Sequence, residues 1–121
     1  MQYLMLIYDQ EADWAKFTAA EQGAMYQEYG QFTQEIMQKG KLVGSNQLKP
    51  VAAATTVRVR DGKRVTTDGP FAETKEQLGG YYLVEANDLD EAIAIAARIP
   101  SARHGSIEVR PIVVREQAAR P

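Results

Sequence analysis

The stretch "YLMLIY", residues 3–8, decides the fold because it predicts a strand with two apolar faces. Its alternating sets are Tyr3, Met5 and Ile7 on one face and Leu4, Leu6 and Tyr8 on the other. A second segment, "GYYLVEA" at residues 80–86, is also largely apolar on both faces. Strands of this kind have to be covered on both sides, so the sequence predicts packing against both faces of the sheet.

The first helix is predicted from Ala19 to Lys39. Thr18 and Glu21 match the capping box that opens many helices, and Gly40 is suited to the position after the last turn. Apolar side chains recur at helical spacing between these signals. This predicted buried stripe consists of Met25, Tyr29, Phe32 and Ile36. Trp14 and Phe17, just before the helix, are interpreted as core aromatic residues.

The remaining elements follow from turn and cap residues. Asp88 is the predicted N-cap of a second helix, which ends at Pro100. Its predicted buried stripe consists of Leu89, Ala92, Ile93 and Ala96. The Asp61-Gly62 pair predicts a half-exposed β-hairpin. The predicted hairpin strands are Thr55–Arg60 and Lys63–Thr67, and the other two predicted strands are Lys41–Leu48 and Ser106–Val114.

The element order β-α-β-hairpin-β-α-β predicts an α+β, ferredoxin-like (split β-α-β) sandwich with an inserted hairpin. Both helices would cover one face of an antiparallel sheet and leave the other face bare. Because a large apolar face is rarely left in water, we expect a homodimer that packs sheet against sheet. Residues 1–115 are predicted to form one domain, and residues 116–121 a flexible tail.

Composition excludes several classes of function. The 121-residue chain has a net charge of −2 and no run of basic residues, so no nucleic-acid partner is predicted. It has no cysteine, and its apolar start is too short for a signal peptide or membrane span. We therefore expect a cytoplasmic protein that makes no membrane contact.

The loop "TTDGPFAETKEQLGG", residues 66–80, admits both a structural and a functional interpretation. Asp68 can bond to the backbone that follows it, Pro70 restricts φ, and Phe71 is predicted to anchor the loop in the core. A turn requires neither Glu73 nor Lys75. Because loops on a rigid scaffold collect ligand contacts, Asp68, Glu73 and Lys75 are candidate ligand-binding residues.

His104 is the single histidine of the chain and the first candidate for acid–base catalysis. If the first and last strands are antiparallel, the end of the first lies beside the start of the last. That arrangement would bring Asp9 near His104 as a second catalytic candidate. The 68–80 loop is expected at the opposite end of the sheet, so that it could share a pocket with His104 only by folding back or across a dimer.

No metal site or cofactor is predicted. One histidine without cysteine is a poor ligand set for a transition metal, although Mg²⁺ held by carboxylates stays open. Glycine-rich nucleotide-binding motifs do not occur. Ser45 and Ser101 have no evident base beside them in the sequence.

Two stretches carry a resemblance to a known family. "TTDGPFAETKEQLGGYYL" and "ARHGSIEVRPI" resemble the DGPF branch of the YCII-related proteins, and the likeness extends over nearly the whole chain. The resemblance implies a dimeric α/β barrel. It does not imply an activity, because none is established for this branch.

The catalytic residues of other YCII-related proteins do not carry over to this chain. Those proteins are associated with a histidine in the first helix and an aspartate before a proline near the last strand. Here the first helix has no histidine, and Ile99 precedes Pro100. Two classes of function therefore stay open: binding and acid–base transformation of a small organic molecule, or a non-catalytic regulatory or partner-binding module, such as one linked to an alternative sigma factor.

Overall fold

The computed structural model describes residues 1–115 and shows an α+β protein. Two 3₁₀ turns, Val51–Ala53 and Pro100–Arg103, interrupt the longer elements. In chain order the α-helices and strands are β1 (Gln2–Asp9), α1 (Glu11–Lys16), α2 (Ala19–Gln38), β2 (Leu42–Gln47), β3 (Thr55–Arg60), β4 (Lys63–Asp68), β5 (Gln77–Glu85), α3 (Leu89–Ala97) and β6 (Ser106–Pro111). The predicted tail, residues 116–121, lies outside the described residues.

A four-stranded sheet in the order β2-β5-β1-β6 forms the centre of the fold, and all neighbouring strands are antiparallel. This is the ferredoxin-like arrangement predicted from the element order. β3 and β4 form a separate two-stranded sheet that packs mainly on itself. Their turn has positive φ at Asp61 and Gly62 (54° and 74°), as the Asp-Gly pair predicts for a tight hairpin.

The core lies between α2, α3 and one face of the sheet. Its strand residues are Tyr3, Met5, Ile7, Tyr82 and Val84. Phe32 of α2 packs edge-to-face on Tyr82 with ring centroids 5.1 Å apart. The capping box of Thr18 and Glu21 is present at the start of α2, so the structure has the helix start that the sequence predicts.

Several predicted boundaries and burials are wrong. β6 ends at Pro111 rather than Val114, because its register with β1 ends there and is followed only by one hydrogen bond, from the Ile112 N–H to the Gln2 carbonyl at 2.9 Å. Ala92 and Ala96 of the predicted stripe of α3 are buried, but Leu89 and Ile93 are about half exposed, and Ile95 faces the core in their place. Helix α1 was not predicted; with six residues it is too short to show helical periodicity.

Phe71 is not a core anchor. It is 78% exposed, in the loop between β4 and β5. The prediction assumed that a phenylalanine after Asp-Gly-Pro would turn inward. The chain instead anchors this region through Gly69, whose N–H donates to the Ala54 carbonyl at 2.7 Å. Gly69 has φ 97°, a conformation that favours glycine.

Candidate functional site

A cleft of about 800 Å³ opens between α1, α2 and one end of the central sheet. Residues from several distant parts of the chain line it. Its lining includes Ile7 and Asp9 from β1, Glu11, Trp14 and Ala15 from α1, Met25, Tyr26 and Tyr29 from α2, residues 45–48 and Pro50 around the end of β2, residues 79–82 from β5, and Ser101 and His104 before β6.

Strand register brings three distant parts of the chain to this end of the sheet. Asp9 pairs with Gln77 at the start of β5, and Tyr8 pairs with Ser106 at the start of β6. The end of the 68–80 loop therefore lies at the same end of the sheet as His104. The expectation that they lie at opposite ends was wrong, because β1 is antiparallel to both β5 and β6.

Asp9, Ser101 and Tyr29 form a chain of hydrogen bonds at the base of the cleft. The Ser101 hydroxyl donates to Asp9 Oδ2 at 3.2 Å, and Tyr29 Oη lies 2.6 Å from Ser101 Oγ. A serine hydroxyl has one proton, so when Ser101 donates to ionised Asp9, Tyr29 must donate to Ser101. If Asp9 is protonated, both bonds can reverse. The chain can therefore pass a proton in either direction between Asp9 and Tyr29.

The hydrogen bond from Ser101 to Asp9 corrects the interpretation of Ser101 as a serine without a base. Ser101 is 4% exposed and lies in the 3₁₀ turn that precedes β6. Its carbonyl accepts from the N–H groups of His104 and Gly105, which closes the turn. Sequence reasoning missed Ser101 because its partners are far away in the chain.

Burial raises the pKa of Asp9 above its ordinary value of 3.8. The Ser101 hydrogen bond and a charge on His104 act in the opposite direction, while the charges of Glu76 and Glu11 add to the increase. Burial also raises the pKa of Tyr29, against the effect of its bond to Ser101. Both ends of the hydrogen-bonded chain therefore retain protons at higher pH than they would in water.

His104 is exposed at the mouth of the cleft, and Phe17 packs edge-to-face on its ring at 6.0 Å. The two catalytic candidates thus line one cavity, as the antiparallel arrangement predicts. The side-chain hydrogen bond that Asp9 accepts comes from Ser101. His104 acts on Asp9 through its charge. Whether the two work as a catalytic pair stays a prediction.

The predicted ligand residues lie away from this cleft. Asp68 pairs with Thr55 at the end of the hairpin, and Glu73 and Lys75 are exposed in the loop. None of the three lines the cavity. Their role as ligand contacts stays a prediction that concerns a different surface of the described chain.

The second half of the loop builds the site instead. Gln77 Oε1 accepts from the backbone N–H of Glu11 at 3.0 Å and joins the loop to α1. Glu76 Oε1 accepts from the Ser106 hydroxyl at 2.9 Å and joins it to β6. Gly80 passes so close to β2 that an added Cβ would lie 2.8 Å from the Asn46 carbonyl oxygen. The loop is therefore both a structural connection and one wall of the cleft.

Sequence reasoning also missed the residues that α1 and α2 present to the cleft. Trp14 and Tyr26 meet edge-to-face with ring centroids 5.4 Å apart, and both line the cavity. Tyr26 is 53% exposed. Its position beside the buried stripe of α2, rather than on it, is the signal that could have indicated a role outside the core.

No cluster of three or more histidine, cysteine or acidic side chains suited to a metal ion occurs in residues 1–115. In the same residues, no helix is both long and apolar enough to cross a membrane.

We expect the substitution Asp9→Asn to stabilise the protein at neutral pH. A carboxyl group with a raised pKa in the folded state costs stability as pH rises from its unfolded pKa through its folded pKa. Above that window the cost is constant, and below it the cost vanishes. The difference in melting temperature between variant and wild type should therefore grow from about zero in acid to a plateau near neutrality.

The substitution Glu91→Gln is the control, for which we expect the opposite change in stability near neutral pH. A hydrogen bond from the Asn87 backbone and the neighbouring Lys41 lower the pKa of Glu91. Its stabilising contribution is present above the unfolded pKa and is lost as pH falls through the folded one. This variant should be less stable than wild type near neutrality and converge with it in acid. A flat difference for Asp9→Asn would contradict a raised pKa at that position.

Comparison with known proteins places the chain in a family. A model of the YCII-related domain matches residues 1–116. The chain is also similar to an uncharacterized protein, R00369, of Rhizobium meliloti (strain 1021), with 35% identity over 123 aligned positions that cover 100% of this chain and 99% of the relative. The resemblance carried by the loop and the last strand is thereby confirmed at the level of the family. The protein belongs to the YCII-related family.

Proposed function

We propose that this protein binds a small organic molecule in the cleft and transfers a proton to or from it. The observation that carries the proposal is the hydrogen-bonded chain from Asp9 through Ser101 to Tyr29, whose three members all line the cavity. Titratable groups with perturbed pKa values in a cleft are typical of functional sites.

The size and lining of the cleft support binding. Its volume of about 800 Å³ falls within the range of roughly 300–1,000 Å³ found for small-molecule sites. Such sites combine apolar and aromatic walls with a few convergent polar groups. Here the aromatic walls are Trp14, Tyr26, Tyr29 and Tyr82, and the polar groups include Asp9, Ser101 and His104.

Each polar residue has a distinct proposed role. Asp9 is the general base or acid, since its raised pKa brings proton exchange closer to neutral pH. Tyr29 presents its hydroxyl to the bound molecule and exchanges protons with Asp9 through Ser101. Ser101 is a positioning residue, because it is buried and acts on both neighbours. His104, at the mouth of the cleft, acts electrostatically on Asp9. The proposal involves no cofactor.

The alternative, a regulatory or partner-binding module, predicts that the chain's own aromatic side chains fill this space. The cleft is open instead, with Trp14 and Tyr26 in its wall. This observation favours binding of a small molecule over a purely structural role for the aromatic residues.

The proposal includes a cytoplasmic homodimer and membership of the DGPF branch of the family. Asp68-Gly69-Pro70-Phe71 supports membership of the branch. The dimer is supported by the face of the sheet that carries Leu4, Leu6, Tyr81 and Leu83. Within residues 1–115 the core helices pack on the opposite face.

Binding in the cleft is tested with a plugged variant and a fragment library. Ala12 and Ala15 are both exposed on α1, but Ala15 lines the cavity and Ala12 does not. Ligand-observed NMR should detect fragments that bind the wild type and the Ala12→Phe control but not Ala15→Phe. Hits that bind all three proteins equally, or no hits at all, would contradict binding in the cleft.

Proton transfer is tested with a fragment that binds and has a weakly acidic C–H bond. The wild type should accelerate exchange of that hydrogen with D₂O. Asp9→Asn should still bind the fragment but lose the acceleration by at least about 100-fold, the lower range for general acid–base catalysis. Equal exchange rates in both proteins would remove Asp9 from the proposed mechanism.

A further inference from the structure

We propose that the molecule bound in the cleft is an organic cation, an amine carried on a flat aromatic framework. This inference rests on the proposed function, since it concerns the same cleft. It extends that function by naming the charge and shape of the ligand from the charges and ring surfaces that line the cavity.

The charges that face the cleft are acidic. Asp9 and Glu11 line it, and Glu76 acts electrostatically on Asp9 from the adjoining loop. Among the described residues, no lysine or arginine lines the cavity. An anionic ligand would lose its hydration beside like charges, whereas a cation would be attracted. His104, at the mouth, is the one lining residue that can become positive.

Glu11 is held in place before a ligand arrives. Its backbone N–H donates to Gln77 Oε1, and its Oε2 accepts from the Val51 N–H, both at 3.0 Å. These bonds fix the carboxylate between α1 and the turn that follows β2. A charged group that is already oriented loses little freedom when it meets its partner.

The basic side chains nearest the cleft in sequence do not line it. Lys16 lies 3.8 Å from Asp13 on α1, and Arg103 lies 2.7 Å from Glu28 on α2. Lys49 is exposed and is not part of the lining. Among the described residues that line the cavity, the carboxylates of Asp9 and Glu11 therefore have no lysine or arginine beside them.

Aromatic rings supply the second half of the recognition. Trp14 and Tyr26 are nearly perpendicular, at 82°, so their surfaces form a corner rather than a stack. Such a corner can receive a cation against a ring face and an apolar plane along its sides. Met25, Leu48 and Pro50 extend the apolar wall. Carboxylates combined with perpendicular rings favour an aromatic amine over an aliphatic or anionic ligand.

Three probes with the same indole framework test the charge preference. Tryptamine is a cation at pH 7.5, tryptophol is neutral, and indole-3-acetate is an anion. NMR titration of the full-length protein should give a dissociation constant for tryptamine at least about tenfold below that for tryptophol. Indole-3-acetate should bind more weakly than either.

One variant in the cleft and one outside it assign the preference to the cleft. Glu11→Gln should remove most of the tenfold advantage of tryptamine and leave the affinity for tryptophol unchanged. Asp90→Asn removes an exposed carboxylate of α3 that does not line the cavity, and it should change neither affinity. Because both substitutions preserve side-chain shape, melting curves serve to confirm that both variants are folded.

The outcomes separate this inference from the proposed function. If tryptophol or indole-3-acetate binds as tightly as tryptamine, and Ala15→Phe abolishes that binding, the cleft is a ligand site but the cation preference is wrong. If none of the three probes binds, the aromatic-amine inference fails, and the fragment hits with their plugged control decide the proposed function separately. If Asp90→Asn changes the preference as much as Glu11→Gln, long-range charge rather than the cleft sets it, and the inference is overturned.

Discussion

Replacing Gly105 by alanine is expected to lower the free energy of unfolding by about 3 kcal/mol, the upper end of the usual range for an overpacked site. An added Cβ would overlap the carbonyl oxygen of Tyr8 and lie 2.9 Å from Asp9 Cβ and 3.2 Å from the Ser101 carbonyl oxygen. Two of these three atoms belong to backbone, so no side-chain rotation relieves the overlap. The turn that places Ser101 and His104 would have to move away from β1.

Urea denaturation measures this effect, with Gly30→Ala as the control. Gly30 lies inside α2 with nothing within 4 Å of an added Cβ. Alanine there should raise stability by roughly 0.5–1 kcal/mol, the usual gain over glycine inside a helix. If Gly105→Ala unfolds within error of the wild type, the close approach of the turn to β1 is not real, and the geometry of Ser101 beside Asp9 is in doubt.

The second large effect is expected in the assembly state. Light scattering at micromolar concentration should give twice the mass of the chain. Leu6→Lys should give the mass of one chain. Leu6 lies beside Tyr81 and Glu108 in the sheet and is partly exposed in the single chain. Inside a sheet-to-sheet interface, the new ammonium group would be buried beside Glu108 in place of an apolar side chain, and removing both charges from water costs more than their attraction returns.

Ile93→Lys is the matched control for the dimer. Ile93 is 50% exposed on α3, on the helical side of the sheet, so its replacement should leave the doubled mass unchanged. Circular dichroism should show that both variants keep the fold. A wild-type protein that is monomeric at these concentrations would remove the dimer from the proposal, as would a Leu6→Lys variant that stays dimeric.

Helix and strand positions could be predicted wherever the signal is local. The capping box of Thr18 and Glu21 and the Asp61-Gly62 turn each lie within four residues, and the structure has both where they were predicted. Strand order also followed from the sequence, because two β-α-β crossovers leave few ways to arrange four strands in one sheet. These features depend on backbone geometry that nearby residues determine.

Burial was less predictable, because it depends on which segments come to lie above a residue. Phe71 is of a residue type that is common in cores, but it is exposed. Trp14 and Tyr26 form a wall of the cleft. Helix α1 was not predicted, because a segment of six residues is too short to show helical periodicity. In each case tertiary packing determined the outcome.

The sequence by itself determined the family, the element order and the approach of Asp9 to the start of β6. Only the tertiary structure assembled the site. Asp9 and Ser101 are 92 positions apart, and Tyr29 and Ser101 are 72 apart. No local sequence pattern identifies these three residues. A serine that lies 92 positions from the carboxylate it contacts cannot be distinguished, in the sequence, from any other serine. The antiparallel register of β1 with β5 and β6, and the close contact at Gly105, bring these residues together, since side chains interact through space and not along the chain.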